Sequence, residues 1–426
     1  MKKSVVWFIM LGIGFTLLLF PTASSFAEKI SPPRIYMVIQ RGKIGKAVLT
    51  LRGTELNEKV LLYLTDVTID RRGNYQFEEI EDWKYSAMDR IKLRKVRLVA
   101  KETPEEEAKI RVIAPLYEKR EILTLKMSAD TYIGLEVRAP YKSGEYYAGI
   151  IVEPSEPEIL RGLVDGEAIE VQRIRRFGIP ITITVPGRAP RLGGEIIETS
   201  SEIGEDQIKI FVTFENTGGM LEYVKGKVSI INKENKRVYD DPVLKALVPL
   251  SPDGTGEIYP EGIRDFEAEV SRPLPAGEYD LRTVFEIKTS LAPDAKVQKK
   301  IRKTTSFTIP ETVAMKQREL LTLVAETQLL QFNLKSGGLV MSALEITNQD
   351  FQPLSVDISI PKGAEKWLQI TENLNLRASQ PGRPVSKKIR FKIRIPRDEN
   401  AERNCKITFT PERGKPVVVD LMIGGQ

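Results

Sequence analysis

Histidine is absent from all 426 residues. That omission removes the Ser-His-Asp and Cys-His nucleophile systems and the commonest catalytic zinc sites. Only a few strings remain whose residue types suit chemistry. Ser359-Ile360-Pro361-Lys362 has the Ser-x-x-Lys order of penicillin-binding enzymes, where a helical turn brings lysine to serine. Here it closes an alternating apolar run and contains proline, so it reads as a strand end. Gly42-Lys43-Ile44-Gly45-Lys46 lacks both the spacing and the following Ser or Thr of a phosphate loop, and reads as a turn before a strand. Glu195, Glu198, Glu202, Glu205 and Asp206 form an acidic run without EF-hand spacing and read as a solvated edge, with calcium as the competing reading. Nothing selects two carboxylates for glycoside hydrolysis. No catalytic, cofactor-binding or metal-ligating residue is assigned, and the chain is expected not to be an enzyme.

Arg173, Arg175 and Arg176 are better suited to recognition than to reaction. A guanidinium grips a carboxylate through two parallel hydrogen bonds. The competing reading is a charged edge strand that discourages sheet-to-sheet aggregation.

The elements that would hold such residues are strands. Val137-Arg138-Ala139-Pro140 followed by Gly144-Glu145-Tyr146 returns as Val270-Ser271-Arg272-Pro273 followed by Gly277-Glu278-Tyr279, valine to tyrosine spanning nine positions each time. Proline cannot donate to a ladder and ends the first strand; glycine lets the chain turn back. The tyrosine can then lay its ring on the core and bond a backbone group at the corner, as in immunoglobulin-like sandwiches. A looser copy, Ile393 to Pro396 and then Ala401-Glu402-Arg403, lacks the tyrosine.

Alternation fills the intervals. Ile208, Ile210, Val212 and Phe214 oppose Lys209, Thr213 and Glu215; Asn216-Thr217-Gly218-Gly219 turns, and Val224, Val228 and Ile230 answer. Leu354, Val356, Ile358 and Ile360 repeat the pattern after a turn at Asn348-Gln349-Asp350. Val171–Val185 reads as one strand, with Phe177, Ile179, Ile181, Ile183 and Val185 on one face. Lys101–Lys109 reads as a charged surface loop, and 311–330 is open between a short helix and an entry strand. The expected fold is all-β: three tandem immunoglobulin-like sandwiches over 28–187, 188–310 and 311–426.

Met1-Lys2-Lys3, an apolar run from Val5 to Phe20, Pro21 and Ser25-Phe26-Ala27 have the layout of a secretory signal peptide cleaved after Ala27. No later run is apolar enough to span a membrane, so an exported protein is expected, periplasmic or at the cell surface. The 64 basic and 58 acidic residues are interspersed, unlike a nucleic-acid footprint. Cys405 stands alone and reads as a small buried apolar residue.

The early strand and turn, "TIDRRGNYQF", "SGEYYAGIIVEP" and "RIRRFGIPITITVPG" resemble the amino-terminal domain of periplasmic pilus chaperones of the PapD type and related immunoglobulin-like surface proteins. The resemblance covers about residues 30–187, with an analogous sandwich at 188–310. It implies binding of a protein partner in the cell envelope by β-strand addition. It further implies that Arg34 on the first strand, or Arg173, Arg175 or Arg176 on the last, anchors a terminal carboxylate. Pro180 in the strand to be lent and the third domain depart from the family pattern. The expected function is therefore a non-enzymatic envelope protein acting through protein–protein contact. The alternatives are an assembly chaperone for pilus or surface subunits and a carbohydrate-binding module. The latter has few stacking platforms, with Trp83 and Trp367 the only tryptophans after Trp7.

Overall fold

The computed structural model describes residues 30–53, 58–99, 109–115, 120–125, 129–164, 167–188, 190–292, 294–370, 374–380, 383–397 and 402–424. The signal segment 1–27, the charged loop up to residue 108, Thr54 of the first turn and Ala401 of the third corner lie outside them. The fold is all-β, of the immunoglobulin-like sandwich class. The chain divides into two compact units. Unit one holds residues up to Asp66, Phe77–Lys142 and Tyr146–Pro186; unit two holds Val67–Gln76, Ser143–Glu145 and everything from Gly187.

In chain order the first strands are β1 (Ile30–Ser31), β2 (Ile35–Val38), β3 (Ile44–Arg52) and β4 (Glu58–Thr65). Next come β5 (Thr68–Ile69) and β6 (Tyr75–Gln76), a hairpin belonging to unit two. Then follow β7 (Ile91–Val99), β8 (Lys109–Pro115), β9 (Arg120–Leu125), β10 (Asp130–Arg138), β11 (Gly144–Pro154), β12 (Glu158–Val164), β13 (Glu167–Arg173) and β14 (Phe177–Val185). Two sheets, ordered β1-β3-β10-β7-β8 and β2-β14-β11-β4-β9, enclose the core of unit one. Leu49, Leu51, Ile133, Leu135 and Val137 of the first sheet meet Val60, Leu62, Ile150, Val152 and Ile181 of the second, all essentially inaccessible. The opening stretch serves both sheets: β1 pairs with β3, and β2 pairs parallel with β14, Ile35 opposite Ile181.

Unit two continues with β15 (Glu195–Ile203), β16 (Ile208–Glu215), β17 (Glu222–Asn232), β18 (Val238–Asp240), β19 (Val243–Ala246), β20 (Gly256–Ile258), β21 (Ile263–Val270), β22 (Gly277–Lys288) and β23 (Lys299–Ile309). They form one sheet, β15-β16-β21-β19-β17-β22-β23 with β18 and β20 on β17, folded around the second core. Helix α1 (Glu311–Leu321) then leads to β24 (Leu323–Ala325), β25 (Leu329–Asn333), β26 (Leu339–Asn348), β27 (Leu354–Ser359), β28 (Leu368–Ile370), β29 (Leu374–Leu376), β30 (Val385–Arg394), β31 (Arg403–Pro411) and β32 (Val417–Gly424). Their sheets, β24-β26-β30-β28 and β25-β32-β31-β27-β29, enclose a third core and repeat the topology of unit one. There too the entry stretch switches sheets, and β25 pairs parallel with the last strand, β32.

Tyr146 and Tyr279 make the same corner. Each hydroxyl donates to the carbonyl four residues upstream, Tyr146 to Lys142 at 3.0 Å and Tyr279 to Pro275 at 2.7 Å. The two rings serve separate cores, Tyr279 wholly buried and Tyr146 partly so. Gly144 (φ 151°) and Gly277 (φ 141°) supply the backbone turn. Tyr279→Phe is expected to cost about 1 kcal/mol in urea unfolding, the net worth of one buried hydrogen bond. Tyr146→Phe should cost less, its hydroxyl being nearer solvent, and equal losses would contradict this ranking.

The two Asn-centred turns are also equivalent. Asn216 donates its side-chain amide to the carbonyls of Met220 and Ile258 and accepts from the Gly218 N–H. Asn348 donates to Gln352 and Arg377 and accepts from the Asp350 N–H. Both asparagines are fully buried, so each turn is tied from within.

One expectation changes, and the open reading of 311–330 is decided. Val171–Val185 is not one strand: β13 pairs with β12 in a two-stranded ribbon ending at Arg173, and β14 begins at Phe177. Residues 311–330 contain a helix and then strands. Glu, Ala, Met, Lys, Gln, Arg and Leu favour the helix, and it turns Ala314 and Gln317 inward. Gln317 donates to the Gly204 carbonyl at 2.7 Å, giving this polar core-facing position a partner.

Candidate functional site: an arginine–tyrosine groove in unit one

The outer face of the β2-β14-β11-β4-β9 sheet is unusual. Tyr147, Gly149, Ile151 and Glu153 of β11 point away from the core, yet all are buried. The segment after Gln76 covers them. Trp83 stacks on Tyr147 with ring centroids 5.9 Å apart. Phe77 lies so close that a Cβ on Gly178 would sit 2.0 Å from its ring and one on Gly149 2.6 Å. Glycine at both places is what admits the aromatic.

Beside Phe77 opens a groove of about 620 Å³, lined among others by Tyr63, Glu79, Arg94, Arg120 and Arg176. Glu153, 6% exposed, organises its polar end. Arg176 donates from Nε to the Glu153 carboxylate at 2.5 Å, and the Tyr63 hydroxyl donates to the same oxygen at 3.4 Å. The Arg120 guanidinium lies over the Tyr63 ring, 4.9 Å from its centroid. Burial first, and the Glu153 charge second, hold the Tyr63 phenol above its usual pKa, so it remains a proton donor. The hydrogen bond to Glu153, with its charge, raises Arg176 further still. Next to the Tyr63 phenol two guanidiniums face the Glu153 carboxylate, an excess of one positive charge at this end of a groove that also carries Glu78, Glu79, Asp89 and Glu121. That arrangement suits an anion with oxygens to spare. On the other wall Arg94 pairs with Glu136 at 3.3 Å.

Of the four arginines expected to anchor a partner, only Arg176 enters this cluster. Arg173 ends the ribbon, opposite Glu158, and Arg175 lies in the link before β14. Arg34 precedes β2, at the far side of the sheet from β4 and β9, and its Nη1 donates to the Tyr36 hydroxyl at 3.2 Å. Tyr63, Arg120 and Glu153 were not anticipated. An acid closing the buried run Gly149-Ile150-Ile151-Val152 was the available signal, because a buried carboxylate requires a partner.

The remaining candidates have ordinary settings. Glu195 and Glu202 are exposed along β15, and Glu205 pairs with Lys316. Among the described residues no cluster of three potential metal ligands occurs. Cys405 is half-buried against the third core, and burial pushes its thiol up to about 11. Trp367 is buried there, and Trp83 is half-buried with one ring face stacked on Tyr147. No helix among the described residues is long and apolar enough to cross a membrane.

No family model matches the chain, and no curated protein does. Several solved structures are similar to it. One is the CsuC–CsuE chaperone–tip adhesion subunit pre-assembly complex of Acinetobacter baumannii, at 10% identity and TM-score 0.27, over 65% of this chain and 96% of that one. The CupB2 chaperone of Pseudomonas aeruginosa gives 10% and 0.25, over 65% and 97%. A protein of unknown function from Porphyromonas gingivalis W83 gives 14% and 0.21, over 55% and 98%. Fimbrial chaperones are thus among the known structures that the chain resembles.

Proposed function

We propose that the chain is a non-enzymatic, exported protein of the cell envelope that binds a partner polypeptide at the groove of unit one. The observation that carries the reading is Arg176, held by buried Glu153 next to Arg120 and the Tyr63 hydroxyl. A fixed guanidinium loses little freedom on binding, so such a pair recognises a carboxylate economically. The site also adjoins an open edge. β9 starts at Arg120 and, among the described residues, pairs only with β4; its Ile122 is 61% exposed. An extended segment adding to β9 would place its end, or an acidic side chain, at the two arginines. The missing histidines support a binding role, since the groove offers arginine, tyrosine and carboxylate and no activated nucleophile.

Strand lending by β14, the assembly-chaperone reading, has less to work with. β2 covers Ile181 to Thr184 of β14. Thr184 accepts from the Ile39 N–H, so even-numbered residues of β14 direct their backbone groups toward β2. The uncovered part therefore offers Gly178 and Pro180, and proline has no donor.

Envelope proteins captured on the full chain, identified by mass spectrometry, test the proposal. Arg120→Ala/Arg176→Ala should lose the specific partner at least tenfold, whereas Arg34→Ala should retain it. Equal capture by wild type and the double variant, with unchanged melting, would refute the groove as the binding site.

A further inference from the structure

We propose that the outer face of the β24-β26-β30-β28 sheet binds an anionic phospholipid surface. On this face β30 presents Lys388, Arg390, Lys392 and Arg394, one at every second residue, while Ile389, Phe391 and Ile393 between them turn into the core. The file of cations extends about 20 Å along the strand. Antiparallel β26 sets a second file beside it: Leu339 opposite Arg394, Met341 opposite Lys392, Ala343 opposite Arg390, and Glu345 opposite Lys388.

Met341 is 73% exposed and Leu339 55%. Isolated apolar side chains at a surface are ordinary. Here two stand on one flat face, each directly across from a cation. The one acid in these files, Glu345, lies 4.0 Å from Lys388 at the opposite end. Among the described residues no acid pairs with Arg390, Lys392 or Arg394, so their charge is available to a partner.

The two files together select the partner. A soluble acidic polymer would engage the cations and leave Leu339 and Met341 in water. A bilayer surface uses both, with lipid phosphates meeting the guanidinium and ammonium groups and the acyl boundary receiving leucine and methionine. The attraction is of a surface kind, graded by anionic lipid content and weakened by salt. It involves none of the groove residues of unit one, so it stands or falls separately from the function proposed above.

Flotation of the full chain with vesicles tests it. Wild type should partition onto phosphatidylcholine vesicles containing about one third phosphatidylglycerol at low salt, and not onto pure phosphatidylcholine. Each basic residue near such a surface changes partitioning about fivefold, so Lys392→Glu/Arg394→Glu should reduce it at least about 20-fold. Leu339→Ser/Met341→Ser, at unchanged charge, should reduce it several-fold. Both pairs are exposed sheet positions, and matching melting curves confirm that the variants remain folded. Absence of wild-type partitioning, or retention in the charge-reversed variant, would overturn the proposal. So would binding to soluble polyglutamate that equals vesicle binding and ignores Leu339→Ser/Met341→Ser, because it would identify an acidic polymer instead.

Discussion

Arg264→Leu is expected to lower the stability of unit two by about 3–5 kcal/mol, because two carbonyls lose their charged donor and the buried Glu257 loses the opposing charge. Arg264 lies on β21 and is 1% exposed. Its Nη1 donates to the Glu257 carbonyl at 3.3 Å, and its Nη2 donates to the Val248 carbonyl. Burial lowers the pKa of the guanidinium, while the Glu257 and Asp70 charges oppose that shift. Glu257 is itself inaccessible and accepts a hydrogen bond from the Tyr75 hydroxyl at 3.0 Å. The hairpin β5–β6 closes the arrangement. Its Gly73, at φ 104°, packs on the guanidinium so tightly that a Cβ there would lie 2.3 Å from Nη2. Arg71 fixes the same turn, binding Asp265 from Nε at 3.1 Å and Nη2 at 2.9 Å, and its carbonyl accepts from the Asp265 N–H. Removing arginine alone takes the opposing charge away from the buried Glu257 carboxylate, which keeps its Tyr75 hydrogen bond. Removing both charges, as Arg264→Leu/Glu257→Leu, should recover at least half of the loss, since paired apolar replacements of buried ions are often near neutral. Urea unfolding of the two singles and the double measures the coupling. Additive losses would show that the two charges do not depend on each other.

Much of this architecture was legible because a strand repeats every two residues. Tyr279, Leu281, Phe285 and Ile287 alternate in sequence and are buried alternately in β22. The corner tyrosines were legible as well, because a proline stop, a glycine turn and a tyrosine at fixed offset each have a local physical meaning. What alternation does not encode is the ladder partner. In Val171–Val185 the apolar alternation lapses at Arg173–Arg176, yet nothing in it tells that the first part pairs with β12 and the second with β11 and β2. The groove was hidden for the same reason: Tyr63, Arg120, Glu153 and Arg176 come from three strands and a link, distant along the chain. Two buried charges were readable and were missed. Arg264 has the parity of Phe266, Ala268 and Val270, and Glu222 has that of Val224, Val228 and Ile230. Continuing each inward-facing series one step would have placed a charge in the core, where it requires an explanation.

Glu222 gives the other large effect, and this one depends on pH. Its carboxyl is inaccessible; one oxygen accepts from the Gly193 N–H at 2.8 Å, and the other has no hydrogen-bond partner among the described residues. Burial raises its pKa from 4.5 to about 7, against the opposing pull of the Gly193 hydrogen bond and the Lys299 charge. Below pH 4.5 the group is protonated folded and unfolded, and it contributes no pH dependence. As pH rises from there toward 7, the unfolded chain releases the proton while the folded chain keeps it, so stability falls. Above 7 the loss is complete, at about 3 kcal/mol for a displacement of this size. Glu222→Gln preserves an acceptor for the Gly193 N–H and removes the charge. The variant should match wild type at pH 4.5 and exceed it progressively up to pH 8, by as much as about 3 kcal/mol. The difference belongs to the native side chain, because the glutamine has no proton to exchange. Urea midpoints for both proteins across this range decide the matter. Parallel curves would mean that the Glu222 carboxylate is already ionised in the folded protein at low pH, with water or Lys299 meeting its charge.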